Sequence, residues 1–372
     1  MRSAGRIVML ALVAVAMAVA CGGSGGGASK MAGSPVATRT AASKPSGGSG
    51  SLIMTDLAGL VEYNVKSGSR TPLITPDTEN TFLLDPAISP DGTRLVYIVQ
   101  PPPKIVNNCE AGKPTPTVVS GGRPGAGCGI YDAGSDVWAA NRDGSDAHLV
   151  FAHAQPNQLV RFPQWQDDAT ILAVVQEIAP RKGVTTVSYV LERIPAAGGE
   201  RTKVIGDVLS FGLSPDGQRL AYARLAPQTG ETLNVADVSG ANDETLIGIS
   251  ENLGPFNVPR YAPDGTKIAF ASADQTGARA ASPEFASAAA AGPLPAPPAD
   301  GLPEDIWTVD GGGGRPVRVA DLKEDLPALT WSGDGKHIYV LGAAGLYDVN
   351  VVTGAVDRLG DGAFHGMLVW VP

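Results

Sequence analysis

The sequence has little of what most enzymes use for chemistry. Among 372 residues there are four histidines, His148, His153, His337 and His365, and three cysteines, Cys21, Cys109 and Cys128. It has no H-E-x-x-H pair and no phosphate-cradling P-loop, so spacing alone assembles no catalytic residue and no metal or cofactor site. Charge is scarce too, at 17% of residues, with 37 Asp and Glu against 28 Lys and Arg. An acidic chain lacks the basic face that phosphate backbones require, which argues against nucleic acid as a partner. What the chain has in quantity is 47 Gly and 30 Pro, the punctuation of a large β-rich domain with flexible pieces rather than of a helical enzyme.

The beginning of the chain reads as an address. Two arginines precede an apolar run from Ile7 to Ala20 that is too short to span a bilayer comfortably, so residues 1–20 are expected to be a secretory signal. Ala18-Val19-Ala20-Cys21 resembles a bacterial lipobox, which implies lipidation of the Cys21 thiol and anchoring at the outer face of the cell membrane. The same residues satisfy the ordinary small-x-small cleavage rule, and the alternative is a soluble secreted protein. Residues 21–50 are rich in Gly, Ser and Ala and cannot bury enough apolar surface to fold, so they form a tether. They hold Lys30, Arg39 and Lys44 and no acid, which leaves the acidic excess to residues 51–372.

That remainder repeats itself. "ISPDGTRLVYIV" from Ile88 returns as "LSPDGQRLAYAR" from Leu213, "YAPDGTKIAFAS" from Tyr261 and "WSGDGKHIYVLG" from Trp331. In each, the aspartate (Asp91, Asp216, Asp264, Asp334) bonds a nearby amide and the glycine (Gly92, Gly217, Gly265, Gly335) takes positive φ, which closes a hairpin ahead of an alternating strand. A degenerate copy from Trp165 puts its equivalent at Asp168. A second element follows each turn: Asp136-Val137-Trp138, Leu233-Asn234-Val235 and Asp305-Ile306-Trp307, each running into a Gly-containing turn. A unit therefore holds four strands. Setting aside insertions at 101–129 and 276–303, the period is roughly 40–50 residues, that of a propeller blade. "HGMLVWVP" from His365 stops before its turn, while "SLIMTDLAGLVEYNVKSGSRTPLI" from Ser51 lacks a first strand. One blade split between the termini, plus five internal units, predicts an all-β, six-bladed propeller over 51–372, closed by pairing of its terminal strands.

The S-P-D-G, I-A-F and D-I-W pattern resembles the TolB-type, WD40-like (PD40) propeller repeat, and the resemblance covers nearly all of the chain after the tether. It implies fold and leaves function open. Cys109 and Cys128 lie within the first insertion, and in an exported protein they are expected to form a disulfide worth about 3 kcal/mol by loop entropy. Asp132 to Asp136 and Asp143 to Asp146 lack the oxygen series of a calcium loop and are expected to serve turns and strand starts. The tryptophans fall at repeating strand positions and are expected to pack between blades. The expected role is that of a monomeric scaffold that binds an envelope protein or polymer through its central face and inserted loops, with the membrane engaged only by the lipid. The alternative is a propeller enzyme of lactonase or quinone-dependent dehydrogenase type with its active site on the channel axis.

Overall fold

The computed structural model describes residues 50–56, 58–107, 117–118, 124–125, 129–181, 184–226, 230–276, 303–361 and 366–371. Residues 1–49, which hold the expected signal, Cys21 and nearly all of the tether, lie outside it, as do Cys109 and Cys128. Blade 1 consists of β1 (Ser51–Asp56), β2 (Gly59–Asn64) and β3 (Arg70–Ile74), with one strand still to come. Blade 2 has β4 (Phe82–Ile88) and β5 (Arg94–Gln100). An insertion follows, with β6 (Lys104–Asn107), β7 (Thr117–Val118), β8 (Pro124–Gly125) and β9 (Gly129–Asp132), before β10 (Asp136–Asn141) and β11 (His148–Phe151) complete the blade. Blade 3 is β12 (Leu159–Asp167), β13 (Thr170–Arg181), β14 (Val184–Pro195) and β15 (Thr202–Gly206). Blade 4 is β16 (Val208–Leu213), β17 (Arg219–Ala226), β18 (Gly230–Asp237) and β19 (Glu244–Ile247). Blade 5 is β20 (Leu253–Tyr261), β21 (Lys267–Asp274), β22 (Glu304–Asp310) and β23 (Val317–Glu324). Blade 6 is β24 (Ala328–Trp331), β25 (His337–Leu341), β26 (Gly345–Asn350) and β27 (Val356–Asp361), and β28 (Leu368–Val371) ends the chain.

Twenty-four of these strands form six four-stranded antiparallel sheets, with β28 the innermost strand of blade 1, and the insertion strands pair separately as β6 with β9 and β7 with β8. Ser51 pairs with Val371, Leu52 with Trp370, Ile53 with Val369 and Met54 with Leu368, so the two ends of the chain close the ring. Each innermost strand touches those of its neighbours, and β28 lies against both β24 and β4. No open edge remains between the first blade and the last.

The core is divided into six packets, one between each pair of adjacent blades, and period-2 alternation fills them. In D-G-x-x-Φ the third residue after the glycine faces the preceding blade. Leu95 and Tyr97 pack with Ile53 and Leu60 of blade 1, whereas Val96 and Ile98 pack with Ile171 and Ala173 of blade 3. Leu220 and Tyr222 meet Leu172 and Leu191, while Ala221 and Ala223 make room for Phe256 and Phe270 of blade 5. Those two rings stand 5.6 Å apart. Buried on both faces, such strands read as near-continuous apolar runs, and each side chain so enclosed contributes roughly 1.5–3 kcal/mol. The fourth strands are the outer rim, and β3 and β27 are largely exposed.

The repeated turns have one construction. Asp91 Oδ1 accepts the Thr93 amide at 3.0 Å and the Ser89 hydroxyl at 2.5 Å, and Asp216 does the same for Gln218 and Ser214. Asp264 accepts from Thr266, and Asp334 from Lys336 and Ser332. Gly92, Gly217, Gly265 and Gly335 lie at φ 72°, 67°, 73° and 68°. In the degenerate copy the acceptor is Asp167, which takes the Ala169 amide, because that turn is one residue shorter than the others.

Antiparallel order gives the ring two distinct faces. The S-P-D-G turns and the turns between third and fourth strands lie on one, the turn face. The connections from second to third strands, and from each blade to the next, lie on the other, the loop face. Both insertions interrupt second-to-third connections, one in blade 2 and one in blade 5. Their stems therefore leave on the same face, three blades apart in a ring of six.

Candidate functional site: the axial channel

The innermost strands depart from regular pairing near the axis. Asp85, Phe162 and Val258 have φ of 53°, 56° and 44°, each directly before a proline, and the register slips between Leu84 and Ala87, Arg161 and Gln164, and Asn257 and Arg260. A left-handed conformation at a β-branched residue such as Val258 is sterically costly and persists only where the surroundings hold it. The bulges also release backbone groups from the ladder. Side chains of adjoining blades take them up. Asp85 accepts the Phe162 amide at 3.0 Å, and the Ser210 hydroxyl accepts the Val258 amide at 3.2 Å. Gln164 donates to the Phe211 carbonyl at 2.8 Å and accepts the Leu213 amide, while Trp331 Nε1 donates to the Arg260 carbonyl at 3.0 Å. The channel wall is thus stitched blade to blade by polar groups.

Two arginines reach this wall. Arg161 Nε donates to Asp85 Oδ2 at 2.7 Å, and Asp85 is 1% exposed. Burial pulls the Arg161 guanidinium down, and the charge and hydrogen bond of Asp85 more than offset this, so its pKa ends above the ordinary value. Its side chain keeps 37% of its surface open. Arg260 has no such partner. One of its terminal nitrogens donates to the carbonyls of Phe211 at 2.6 Å and Pro259 at 3.0 Å, and among the described residues no carboxylate comes within ion-pair distance. Burial draws its pKa down to about 10 against the opposing field of Asp85.

Around the axis runs a cavity of about 160 Å³, with walls from five of the six innermost strands. The residue four positions before each turn aspartate is Ala87, Gly212, Arg260 and Thr330 in blades 2, 4, 5 and 6, with Gln164 and Val369 at the matching positions of blades 3 and 1. Arg260 is the only charged member of this ring. Gly212 is there because a Cβ would stand 2.1 Å from the Pro259 carbonyl.

Toward the loop face, blades 4 to 6 bring acids together. Glu304, 0% exposed, accepts from Asn257 Nδ2 at 2.6 Å through Oε1, while Oε2 is buried without a partner. Burial pushes its carboxyl up to about 8, opposed by Asn257 and reinforced by Glu231 and Asp325, so it is largely protonated at neutral pH. Burial likewise raises Glu231, although the Phe256 amide bonds it at 3.0 Å.

Of the residues singled out in the sequence, the turn aspartates and glycines sit on the turn face, and none is in the channel. His153 is held by Asp136 at 2.6 Å and Asp132 at 3.2 Å, which clasps the stem of the first insertion to blade 2. His148 Nδ1 pairs with the Asp146 carbonyl at 2.9 Å. Among the described residues no three His, Cys, Asp or Glu side chains gather as a metal site. The tryptophans pack between blades: Trp370 stacks on Tyr339 at 5.2 Å, and Arg94 covers Trp165 at 4.6 Å. Sequence reasoning missed Asp85, Arg161, Gln164, Arg260 and Glu304. The one available signal was a proline on three innermost strands, at Asp85-Pro86, Phe162-Pro163 and Val258-Pro259.

No protein-family model matches the chain, and neither does any curated protein sequence. A solved structure of a putative TolB from Agrobacterium tumefaciens superposes with a TM-score of 0.50 at 15% identity, over 88% of this chain and 100% of that one. The fold is that of a TolB-like propeller. TolB from Acinetobacter baumannii gives 0.46 at 16% identity over 83% of this chain and 67% of its own. Kuenenia stuttgartiensis hydrazine synthase gives 0.44 at 12% identity, over 79% and 71%. The likeness is one of architecture, and function must be argued from the site itself.

Proposed function

We propose that the chain is an exported lipoprotein, anchored through Cys21 and the 21–50 tether, whose propeller binds a protein or envelope polymer at the loop face around the channel mouth. The observation that carries this reading is topological: both interruptions of an otherwise regular repeat leave on that one face, from blades 2 and 5, on opposite sides of the axis. Loops on a rigid scaffold are where recognition concentrates, and a closed ring gives such loops a fixed separation. The acidic balance of residues 51–372 favours a partner surface that is basic or neutral.

The test is chemical cross-linking and affinity capture of the full chain from membranes, comparing wild type with deletions of 280–298 and of 110–127. Loss of the same partner from either deletion, with melting unchanged, is the expected result. Retention of every partner by both deletions, together with turnover of a small molecule that a channel substitution abolishes, would replace the scaffold with an axial enzyme. Anchoring is tested separately: wild type enters a detergent phase and Cys21→Ala does not.

A further inference from the structure

We infer that the axial channel holds a carboxylate-recognition site centred on Arg260, taking a carboxylate carried on a short aliphatic group. Asp85 is already engaged by Arg161 Nε at 2.7 Å and by the Phe162 amide at 3.0 Å, and although its field reaches Arg260 it makes no ion pair with it. Arg260 lines the cavity and its two bonds are to carbonyls, both from one nitrogen. Its remaining N–H groups have no protein acceptor among the described residues. A guanidinium deep in a protein without a counter-charge is expensive, and its planar fork matches a carboxylate with two parallel bonds.

The rest of the wall sets the body of the ligand. Phe162, Pro163, Met367 and Val369 are apolar and Ala87 is small, while the one carboxylate on the wall, Asp85, is held by Arg161. About 160 Å³ is the room of roughly five water molecules at ~30 Å³ each, enough for a carboxylate with three or four carbons. The group can arrive as a free short-chain acid or as the C-terminal residue of a chain entering the channel. The inference deepens the axial part of the scaffold reading and rests on the channel mouth being a recognition surface.

Calorimetric titration of the full chain with sodium butyrate, butyramide and sodium chloride at fixed ionic strength tests it. Butyrate is expected to bind saturably and butyramide and chloride not to, with Arg260→Gln weakening butyrate at least tenfold and Arg260→Lys recovering part of the loss. Ala-Val with a free C-terminus, set against its amide, separates the two sources: binding of the acid form tighter than butyrate assigns the site to a chain terminus, and weaker binding assigns it to a free acid. If Arg260 variants fail to fold, wild type labelled with ¹⁵N-arginine gives the answer, since an arginine Nε–H resonance is expected to shift saturably with butyrate. Equal binding of butyramide, or no saturable arginine shift, overturns the inference. Absence of butyrate binding by the wild type while partner capture persists refutes this site alone, whereas the loop deletions address the scaffold without touching Arg260.

Discussion

The turn face and the axial channel solve the same problem, the satisfaction of backbone groups where strands bend, in opposite ways. On the turn face each aspartate bonds an amide two residues further on, as Asp91 does for Thr93 and Asp216 for Gln218, and the solution is copied from blade to blade. In the channel no two bulges are satisfied alike: Asp85 serves Phe162 from the neighbouring blade, Ser210 serves Val258, and Gln164 bridges to Phe211 and Leu213. Local solutions can repeat because each is self-contained. Non-local ones diverge, since each depends on what the adjoining blade presents, and divergence is what leaves Arg260 without an ion pair among the described residues.

The largest test of this contrast removes closure itself. Deleting 366–372 strips β1 of its inner partner and exposes the packets around Leu368 and Val371; loss of those two side chains alone would cost on the order of 4 kcal/mol. Thermal melting by circular dichroism is expected to fall steeply and lose cooperativity, and a deletion that melts like the parent would show the ring does not need its clasp. Next is Gly212→Val, which drives a side chain into the Pro259 carbonyl and is expected to cost about 3 kcal/mol by overpacking. Asp85→Ala leaves the Phe162 amide and Arg161 without their partner, at about 1–3 kcal/mol in urea unfolding. If its cost matches that of Asp91→Ala, the claim that channel groups are non-local fails.

The turns themselves sharpen the comparison. Gly92 and Gly217 differ by only 5° in φ (72° and 67°), yet a Cβ at Gly92 meets nothing within 4 Å, whereas at Gly217 it stands 2.5 Å from the Gln166 carbonyl. Gly92→Ala is expected to cost about 1 kcal/mol from the left-handed backbone alone, and Gly217→Ala clearly more. Equal melting temperatures would mean that blade contacts do not reach the turn face. The smallest effect is the His153 clasp. Burial opposes its charge, but the bonds to Asp136 and Asp132 outweigh this and raise its pKa, and its contribution is present below the unfolded histidine value and lost as pH rises through the folded one. For Asp132, burial raises the carboxyl, but the amides of Gly134 and Asn157 and the His153 ring bring it below the ordinary value. Its contribution is lost as pH falls through that lowered value. His153→Ala is therefore expected to lower Tm by about 1–3 °C in mildly acidic buffer and by less at alkaline pH.

The residues show why the fold was legible and the site was not. S-P-D-G followed by alternating apolar residues writes turn, strand and packing face in ten consecutive letters, and the truncated copies at Ser51 and His365 betray the split blade. Arg260, by contrast, is one letter in "NVPRYAPDG", with nothing beside it to distinguish a channel guanidinium from a surface one. Glu304 follows an insertion and reads as a solvated acid, but it is fully buried because β20, β18 and the blade 5 to blade 6 connection converge on it. Nothing next to His153 in the sequence marks it as a clasp. Only the return of the first insertion places Asp132 against His153.

The sequence by itself determined the six-fold repeat, the shared blade and the turn chemistry, because each depends on residues within a few positions of one another. The tertiary structure decided which polar groups lie on the axis, which carboxylates are buried and that Arg260 makes no ion pair among the described residues. Those outcomes follow from blades tens of residues apart in sequence meeting across a few ångströms, and no local pattern encodes such a meeting.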